Sequence, residues 1–268
     1  MNKAAFHAFI ALVFLFLLLP LVTVVIGSFA SSAVMVFPPQ GFTTRWYFEI
    51  PPEFYDSAQI SLITAVCTAV VASLVGTPTA LALVRGRFPG KAVLNAICLS
   101  PLSVPSLVFA VAAFQFTTTI WKIAGFALDD TITGLVLAQS ALGIPFVIRA
   151  VIAAHANFDG ALEEASLSLG ATPAYTFVRV TLPLLLPGIV SGAVFAFMMS
   201  FDDVTVALFL GGANVTTLPV KIFTSIEFSL DVWVMAVASL VILVSLVVLI
   251  VIDRLVGFEK FYGTTRTS

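Results

Sequence analysis

Two adjacent carboxylates, Asp202 and Asp203, lie inside an otherwise apolar stretch, MMSFDDVTVALFL. No further Lys, Arg, Asp or Glu follows them before Lys221. Carboxylates without a neighbouring basic residue attract cations, and an ionisable residue at membrane depth is a candidate for a substrate or ion path. The alternative is that a helix ends here and both side chains meet bulk water. Gly211 and Gly212 permit a break that lets the chain dip back, and irregular backbone at membrane depth is tolerated where it lines a cavity.

Other residues that could do chemistry give weaker signals. Trp46, in the segment RWY, can bind a cation through its ring face or anchor the chain at a membrane interface. Cys67 and Cys98 have no CxxC spacing, and His7 and His155 have no metal-binding spacing, so we expect no metal site. No enzymatic constellation and no Walker A sequence are visible, which predicts a chain without catalytic residues.

The composition indicates an integral membrane protein. Hydrophobic residues make up 60% of the 268 residues, and charged residues only 10%. A soluble domain of this length would carry charge on about a quarter of its residues. A closed barrel is excluded, because its strands alternate apolar and polar residues. Six apolar runs approach or exceed the roughly 18–20 residues that a spanning helix needs. These predicted helices cover residues 4–29, 57–84, 92–120, 131–148, 180–201 and 232–252.

Lys and Arg are distributed unevenly between the loops. Nine lie at the two termini and in the second and fourth loops, whereas three lie in the other loops. Because basic residues collect on the cytoplasmic side of a membrane, this asymmetry predicts that both termini are cytoplasmic. The first apolar run is longer than the roughly 7–15 apolar residues of a signal peptide, so we expect it to be a retained helix. The small residues around Ser28–Ala33 leave a cleaved signal peptide as the alternative.

The fourth loop, at about residues 150–186, is less hydrophobic than the segments around it. Residues 161–169 are good helix formers, and Gly170 follows as a helix stop. No soluble domain is attached on either side of this loop. We therefore expect residues 1–268 to form a single transmembrane domain with a short cytoplasmic helix.

This short helix has an apolar face. Helical spacing predicts that Leu162, Ala165 and Leu169 share one side, while Glu163 and Glu164 point elsewhere. A helix that lies on a lipid surface is normally rich in Lys and Arg. This helix has none, which favours docking to a protein partner.

The same loop resembles the EAA loop of ABC importer permeases. That pattern is EAA, three residues, Gly, nine residues, Ile, one residue and Leu-Pro. Every spacing holds here around Gly170, with Ser166 in place of the second Ala and Val180 in place of Ile. Further segments look like the spermidine/putrescine permease branch, in which the chain is most similar to the second permease subunit. These segments are GFTTRWY, GTPTALALVRGRFPGK, PLSVPSLVFAV, LGIPFVIRAV, SFDDVTVALFL and TLPVKIF.

The resemblance implies a fold and an assembly. The fold is all-α, with six transmembrane helices in the type I ABC importer permease arrangement, in a bacterial inner membrane. The assembly is a heterodimer of two permeases with two cytoplasmic ATPase subunits and a soluble substrate-binding protein outside. ATP and Mg belong to the ATPase subunits, and this chain is expected to bind no cofactor and no nucleic acid. The implied ATPase-coupling residues are Glu163, Glu164, Ala165 and Gly170.

The resemblance also implies import of a small cation such as putrescine or spermidine. Many polyamine permeases have Asp after the second Pro of PLSVPSLVFAV, where this chain has Ser106. Fewer negative groups suit a substrate with fewer amines, or one that also carries a carboxylate, such as an opine or an amino-acid derivative. An ion-coupled secondary transporter and a non-transport scaffold are further alternatives, against which the EAA loop argues. The candidate pathway residues are Asp202, Asp203, Trp46, Ser200 and Ser106.

Overall fold

The computed structural model describes residues 3–32, 38–156, 158–228 and 232–256. In these residues the chain is almost entirely helical, and its one β contact is an isolated antiparallel bridge between Ala30 and Phe42. The all-α prediction is confirmed. Short 3-10 turns cover Arg45–Tyr47 and Ser100–Ser103, and a π-helical stretch covers Phe177–Thr181. The α-helices are α1 Lys3–Gly27, α2 Pro52–Arg85, α3 Lys91–Leu99, α4 Ser106–Ala124, α5 Ile132–Ala156, α6 Ala161–Ser168, α7 Pro173–Thr176, α8 Leu182–Phe201, α9 Thr205–Leu210, α10 Leu218–Phe228 and α11 Val232–Val256.

Five helical stretches of the described chain are long and apolar enough to cross a membrane. They are Ala5–Gly27 within α1, the whole of α2, α4 and α5, and the continuous stretch Pro173–Phe201 that ends with α8. Two shorter apolar stretches accompany them, Lys91–Ser103 and Val232–Val247. The second of these begins α11, where the sixth run was predicted. The cytoplasmic placement of the termini stays a prediction.

The apolar run at residues 92–120 is not the single helix that its hydropathy predicts. Helix α3 ends at Leu99, and after the 3-10 turn Val104 is extended, with φ −84° and ψ 131°. Pro105 explains the break, because its ring disfavours helical backbone at the preceding residue. A new helix, α4, begins directly after it at Ser106. Hydropathy cannot detect this interruption, since the residues of the broken segment are themselves mostly apolar or small.

Residues 56–220 form one compact unit, whose centre is the contact between α5 and α8. Glycines let the two helices approach closely. A Cβ added at Gly192 would lie 2.6 Å from the Cα of Val147, and one added at Gly188 would lie 2.5 Å from the Cβ of Ala154. Fully buried side chains, among them Ile148 and Leu185, fill the space around this contact.

A second apolar cluster in the same unit surrounds the short helix α9. Val206, Ala207 and Leu210 of α9 are buried against Ala110 of α4 and Leu135 of α5. A six-residue helix has too few internal hydrogen bonds to be stable alone, so this packing holds it in place.

The other compact unit comprises residues 1–55 and 221–268. In it, the Tyr47 hydroxyl lies 2.7 Å from Ser28 Oγ at the end of α1 and 2.8 Å from Ser239 Oγ in α11. Lys221 pairs with Glu53 at 2.9 Å. That residues 1–268 act as one transmembrane domain stays a prediction.

Candidate functional site

Helix α6 forms where its sequence predicts, and further hydrogen bonds close each of its ends. Asp159 Oδ1 accepts a hydrogen bond from the Ala161 amide at 3.0 Å before the first turn. At the other end Gly170 has φ +87°, a left-handed conformation that favours glycine. The Gly170 amide donates to the Leu167 carbonyl at 3.0 Å, and the next amide donates to the Ser166 carbonyl at 3.2 Å. These two bonds form a Schellman motif, so the predicted helix stop at Gly170 is confirmed.

Glu163 is turned inward and joins three segments of the chain. Its Oε1 accepts a hydrogen bond from the Arg85 guanidinium, at the end of α2, at 2.6 Å. The same oxygen accepts a hydrogen bond from the Thr181 hydroxyl, just before α8. Burial opposes ionisation of the Glu163 carboxyl, but the hydrogen bonds from Thr181 and Arg85 and the charges of Arg85 and His155 outweigh it and lower its pKa. Glu163 therefore ties α6 to the ends of two long helices.

The opposite side of α6 is open. Leu162, Ala165 and Leu169 are all exposed, Leu169 by 89%, and Glu164 is exposed as well. The apolar residues thus lie on a different side of the helix from Glu163, and Leu169 lines a shallow pocket together with the exposed ring of Tyr175. No described residue of this chain covers that surface, whose chemistry suits docking of a protein partner.

Ser166, which departs from the EAA pattern, has a structural use. Its Oγ lies 2.9 Å from Thr176 Oγ1, in α7. Thr172 caps α7 by accepting a hydrogen bond from the Tyr175 amide at 3.3 Å. Neither threonine was predicted as a site residue, although Thr before Pro173 is a recognisable helix start.

Asp203 caps the short helix α9. Its Oδ1 accepts from the Val206 amide at 3.3 Å, and its Oδ2 accepts from the Ala207 amide at 3.1 Å. Oδ2 also accepts from Gln139 Nε2, on α5, at 3.0 Å. A carboxylate at this position satisfies amide groups that have no partner inside the helix. Asp203 is therefore committed to contacts within the protein.

Gln139 extends this network to α8. Ser200 Oγ donates to Gln139 Oε1 at 2.5 Å, and both side chains are buried. Ser200 was predicted as a pathway residue, whereas Gln139 was not. Its signal in the sequence is that it stands as a lone glutamine within the apolar run at residues 131–148.

Asp202 has a different environment from its neighbour. Its backbone ends α8, with the amide donating to the Met198 carbonyl at 3.0 Å. Its side chain is exposed and makes no hydrogen bond or ion pair with the described residues. Asp203 is thus held by hydrogen-bond donors, whereas the adjacent Asp202 carboxylate has no partner among the described residues.

A third aspartate, Asp130, was missed and fastens the segment that follows α9. It has φ +53°, and its carboxylate accepts hydrogen bonds from the amides of Asn214, at 3.1 Å, and Val215, at 2.8 Å. The Asp130 amide in turn donates to the Leu210 carbonyl at 2.7 Å. Burial opposes ionisation of Asp130, but the hydrogen bonds from Asn214 and Val215 prevail and lower its pKa. The predicted break at Gly211 and Gly212 is present, because α9 ends at Leu210.

The remaining candidate residues lie in separate parts of the chain. Trp46, in the unit that contains both termini, donates its indole N–H to the Ala30 carbonyl at 2.7 Å. The Arg45 guanidinium lies 5.5 Å from the centre of the Trp46 ring. Ser106, in the other unit, is exposed at the start of α4, directly after the break at Pro105. Roles for Trp46 and Ser106 in a substrate path stay predictions.

Known proteins of similar sequence point to one family. Residues 72–258 match the family described as binding-protein-dependent transport system inner membrane component. The chain is 32% identical over 232 residues to PotI, a putrescine transport system permease protein of Escherichia coli K12, which covers 85% of this chain and 82% of PotI. It is 30% identical over 259 residues to PotC, a spermidine/putrescine transport system permease protein of the same strain, which covers 96% of this chain and 95% of PotC.

A solved structure shares the fold. A chain of a bacterial ABC transporter involved in the import of the acidic polysaccharide alginate superposes with a TM-score of 0.71 at 18% identity, covering 94% of this chain and 95% of that chain. The resemblance to ABC importer permeases is confirmed. Since the family match spans more than half of the chain, and both relatives align over most of their length, the chain belongs to the family of binding-protein-dependent transport system inner membrane components.

Proposed function

We propose that this chain is one of two permease subunits of an ATP-driven importer of small cations such as putrescine or spermidine. The similarity to PotI and PotC, whose names state putrescine and spermidine/putrescine transport, supports this substrate class. The observation that carries the proposal is the exposed carboxylate of Asp202 at the end of α8, which has no partner among the residues that the structure describes. A free negative charge there attracts an ammonium group and releases it again, as transport requires.

The assembly we propose contains a second, related permease, two ATPase subunits and a substrate-binding protein. The ATPase subunits supply ATP and Mg, so this chain takes no catalytic part and needs no cofactor of its own. Both termini and α6 face the cytoplasm of a bacterium, and the protein lies in its inner membrane. The exposed apolar face of α6, with Glu164 beside it, supports docking into a cleft of an ATPase subunit.

Coupling would run through the inner side of α6. Because Glu163 joins Arg85 of α2 to Thr181 at the start of α8, a displacement of α6 pulls on both long helices. Closure of the two ATPase subunits then reaches the permease as a rigid-body movement between two packed states. Gly170 lets the chain turn sharply out of α6, while Glu164 and Ala165 stay on the docking side.

On the substrate path we assign the two aspartates different tasks. Asp202 presents charge to the substrate, whereas Asp203 fixes the turn that presents Asp202 by capping α9. Ser200 supports that turn through its bond to Gln139. Trp46 would offer the ring face not covered by Arg45, and Ser106 a hydroxyl at the break between α3 and α4.

An opine or an amino-acid derivative is the second candidate substrate. Ser106 favours it, because an uncharged residue there suits a substrate that carries a carboxylate as well as an amine. The same assembly would import either substrate, so the alternative changes the specificity and not the transport mechanism.

Uptake by the purified complex tests the proposal. The chain is expressed with its partners, and copurification of a chain with a Walker A sequence is expected. In proteoliposomes with the binding protein, labelled putrescine should enter only when ATP is supplied on the ATPase side. Uptake that runs without ATP on an ion gradient would contradict the proposal, and ATP-dependent uptake of amino-acid derivatives but not polyamines would contradict its substrate.

A further inference from the structure

Three helices of the larger unit meet at Gly143 of α5. A Cβ added at this glycine would lie 3.1 Å from the Cβ of Ala196, in α8, and 3.4 Å from the Cβ of Ala72, in α2. Small residues at such a point let membrane helices approach closely. The contact at Gly143 therefore fixes the relative register of α2, α5 and α8.

One turn away from this contact, all three helices carry polar side chains. These polar side chains lie on the side of Gly143 that is nearer to the amino-terminal ends of α2 and α5 and to the carboxyl end of α8. Thr68 stands four residues before Ala72, and Ser200 four residues after Ala196, while Gln139 and Ser140 precede Gly143 by one turn. These four side chains, here called the polar layer, are only 0% to 4% exposed.

Two side chains of the polar layer have partners within the protein, and two have none among the described residues. Gln139 binds Ser200 at 2.5 Å and Asp203 at 3.0 Å. The hydroxyls of Thr68 and Ser140 are fully buried without a hydrogen-bond partner among the described residues. One turn further along α2, the buried hydroxyl of Thr64 has no such partner either.

Helix geometry brings Thr68 and Ser140 to the same side. Successive residues of a helix are about 100° apart. Gln139 and Ser140 therefore flank the direction of Gly143, and since Gln139 points to α8, Ser140 points to α2. Thr68, one turn from Ala72, stands at the same level of α2. The two unpartnered hydroxyls thus face one interhelical space.

We propose that this space is a binding site for ordered water, held by the hydroxyls of Thr68, Ser140 and Thr64. Buried polar groups nearly always have a partner, and a buried water makes about three hydrogen bonds to groups that lack one. Each hydroxyl can donate and accept, which matches water. A metal cation would use the hydroxyls as acceptors only, and no carboxylate among the described residues is bonded to them.

With this site, the contact of the three helices is hydrated on one side of Gly143 and free of water on the other. On the other side of Gly143, the neighbouring side chains of α5 are Val147, Ile148 and Val151, all fully buried in an apolar cluster. The water site lies beside the Gln139–Asp203 contact that holds the turn at Asp202. The inference rests on the orphaned hydroxyls and holds for any transported substrate.

Radiolytic footprinting of the whole purified complex in ¹⁸O-labelled water tests the site. X-rays split bound water into hydroxyl radicals that oxidise adjacent side chains, even buried ones. We expect ¹⁸O in the α5 peptide with residues 135–143, at the buried Val136 one turn before Ser140, and little in residues 147–151, which serve as the dry control. Equal, background labelling of the two segments would overturn the proposal.

A pair of isosteric variants gives a second readout. Thr68→Val removes one hydroxyl of the site, and Thr117→Val removes a buried hydroxyl that is bonded to the Phe114 carbonyl at 2.8 Å. If Thr68 binds water, both variants should lower the Tm of the complex by about 2–4 °C, and Thr68→Val should reduce labelling of residues 135–143. A Thr68→Val complex with unchanged or raised Tm would mean that its hydroxyl has no partner, which contradicts the site.

Replacing sodium by choline in both experiments distinguishes water from a bound cation. Labelling and Tm should not change. A fall in Tm with choline that Thr68→Val abolishes would show a metal cation in the space and would overturn the assignment to water.

Discussion

Glu163→Leu removes the carboxylate that joins Arg85 of α2 to Thr181 at the start of α8. Two losses determine the effect on stability. The ion pair with Arg85 is partly solvated, with side chains 39% and 23% exposed, so its contribution is about 1 kcal/mol. Thr181 is fully buried, and leaving its hydroxyl without an acceptor costs about 1–3 kcal/mol. We therefore expect a total loss of about 2–4 kcal/mol in the free energy of unfolding.

Denaturant unfolding of the purified complex measures this loss, and Glu163→Gln is the matched control. The amide oxygen of Gln still accepts from Thr181 while the charge is lost, so this variant should lose only about 1 kcal/mol. Because the loosened α6 no longer moves α2 and α8 together, stimulation of ATP hydrolysis by loaded binding protein should fall more in the Leu variant than in the Gln variant. A Glu163→Leu complex whose free energy of unfolding lies within about 0.5 kcal/mol of wild type would refute the role of Glu163 in linking α6 to α2 and α8.

Three further predictions concern the same loop and the segment after α9. Glu164→Lys alters only the exposed docking side of α6, so unfolding should be unchanged while stimulated ATP hydrolysis is lost; normal stimulation would contradict the docking. Folding lowers the pKa of Glu163, so its ionised carboxylate should contribute fully to the free energy of unfolding above the ordinary Glu pKa of about 4.3. That contribution should disappear as the pH falls through the lowered pKa, and Glu163→Gln should make the free energy of unfolding less dependent on pH in this acidic range. Asp130→Ala frees the amides of Asn214 and Val215 and should lower the free energy of unfolding by about 1–3 kcal/mol, whereas no change would show that water replaces the carboxylate.

Local patterns predicted helix α6 well. Helix formers at residues 161–168 and Gly170 at the end specify α6 through backbone preferences, which neighbouring helices do not alter. The inward direction of Glu163 could not be predicted, because it depends on Arg85 and Thr181. Those partners lie 78 and 18 residues away in sequence and meet Glu163 only after folding.

Hydropathy predicted the membrane helices but not their interruptions. The break at Pro105 lies in an uncharged run, so the average over residues 92–120 does not register it. The sequence signal for the break is that Val104 precedes a proline, and a residue in that position prefers extended backbone. The pair at Asp202 and Asp203 was recognised from charge alone. Which of the two is free depends on where α8 ends and α9 begins, and on the distant Gln139, none of which charge reveals.

Uptake by two single variants tests whether Asp202 presents charge to the substrate while Asp203 holds the turn. Labelled putrescine uptake is measured in proteoliposomes at saturating binding protein, with Tm and basal ATP hydrolysis recorded for each complex. Asp202→Asn should keep the wild-type Tm and basal hydrolysis but lose about tenfold or more in uptake, since a charge-assisted hydrogen bond to the substrate is gone. Asp203→Asn should lower the Tm while each folded complex retains most uptake. Uptake by Asp202→Asn within about twofold of wild type would contradict these separate roles, as would loss of uptake in Asp203→Asn at unchanged Tm.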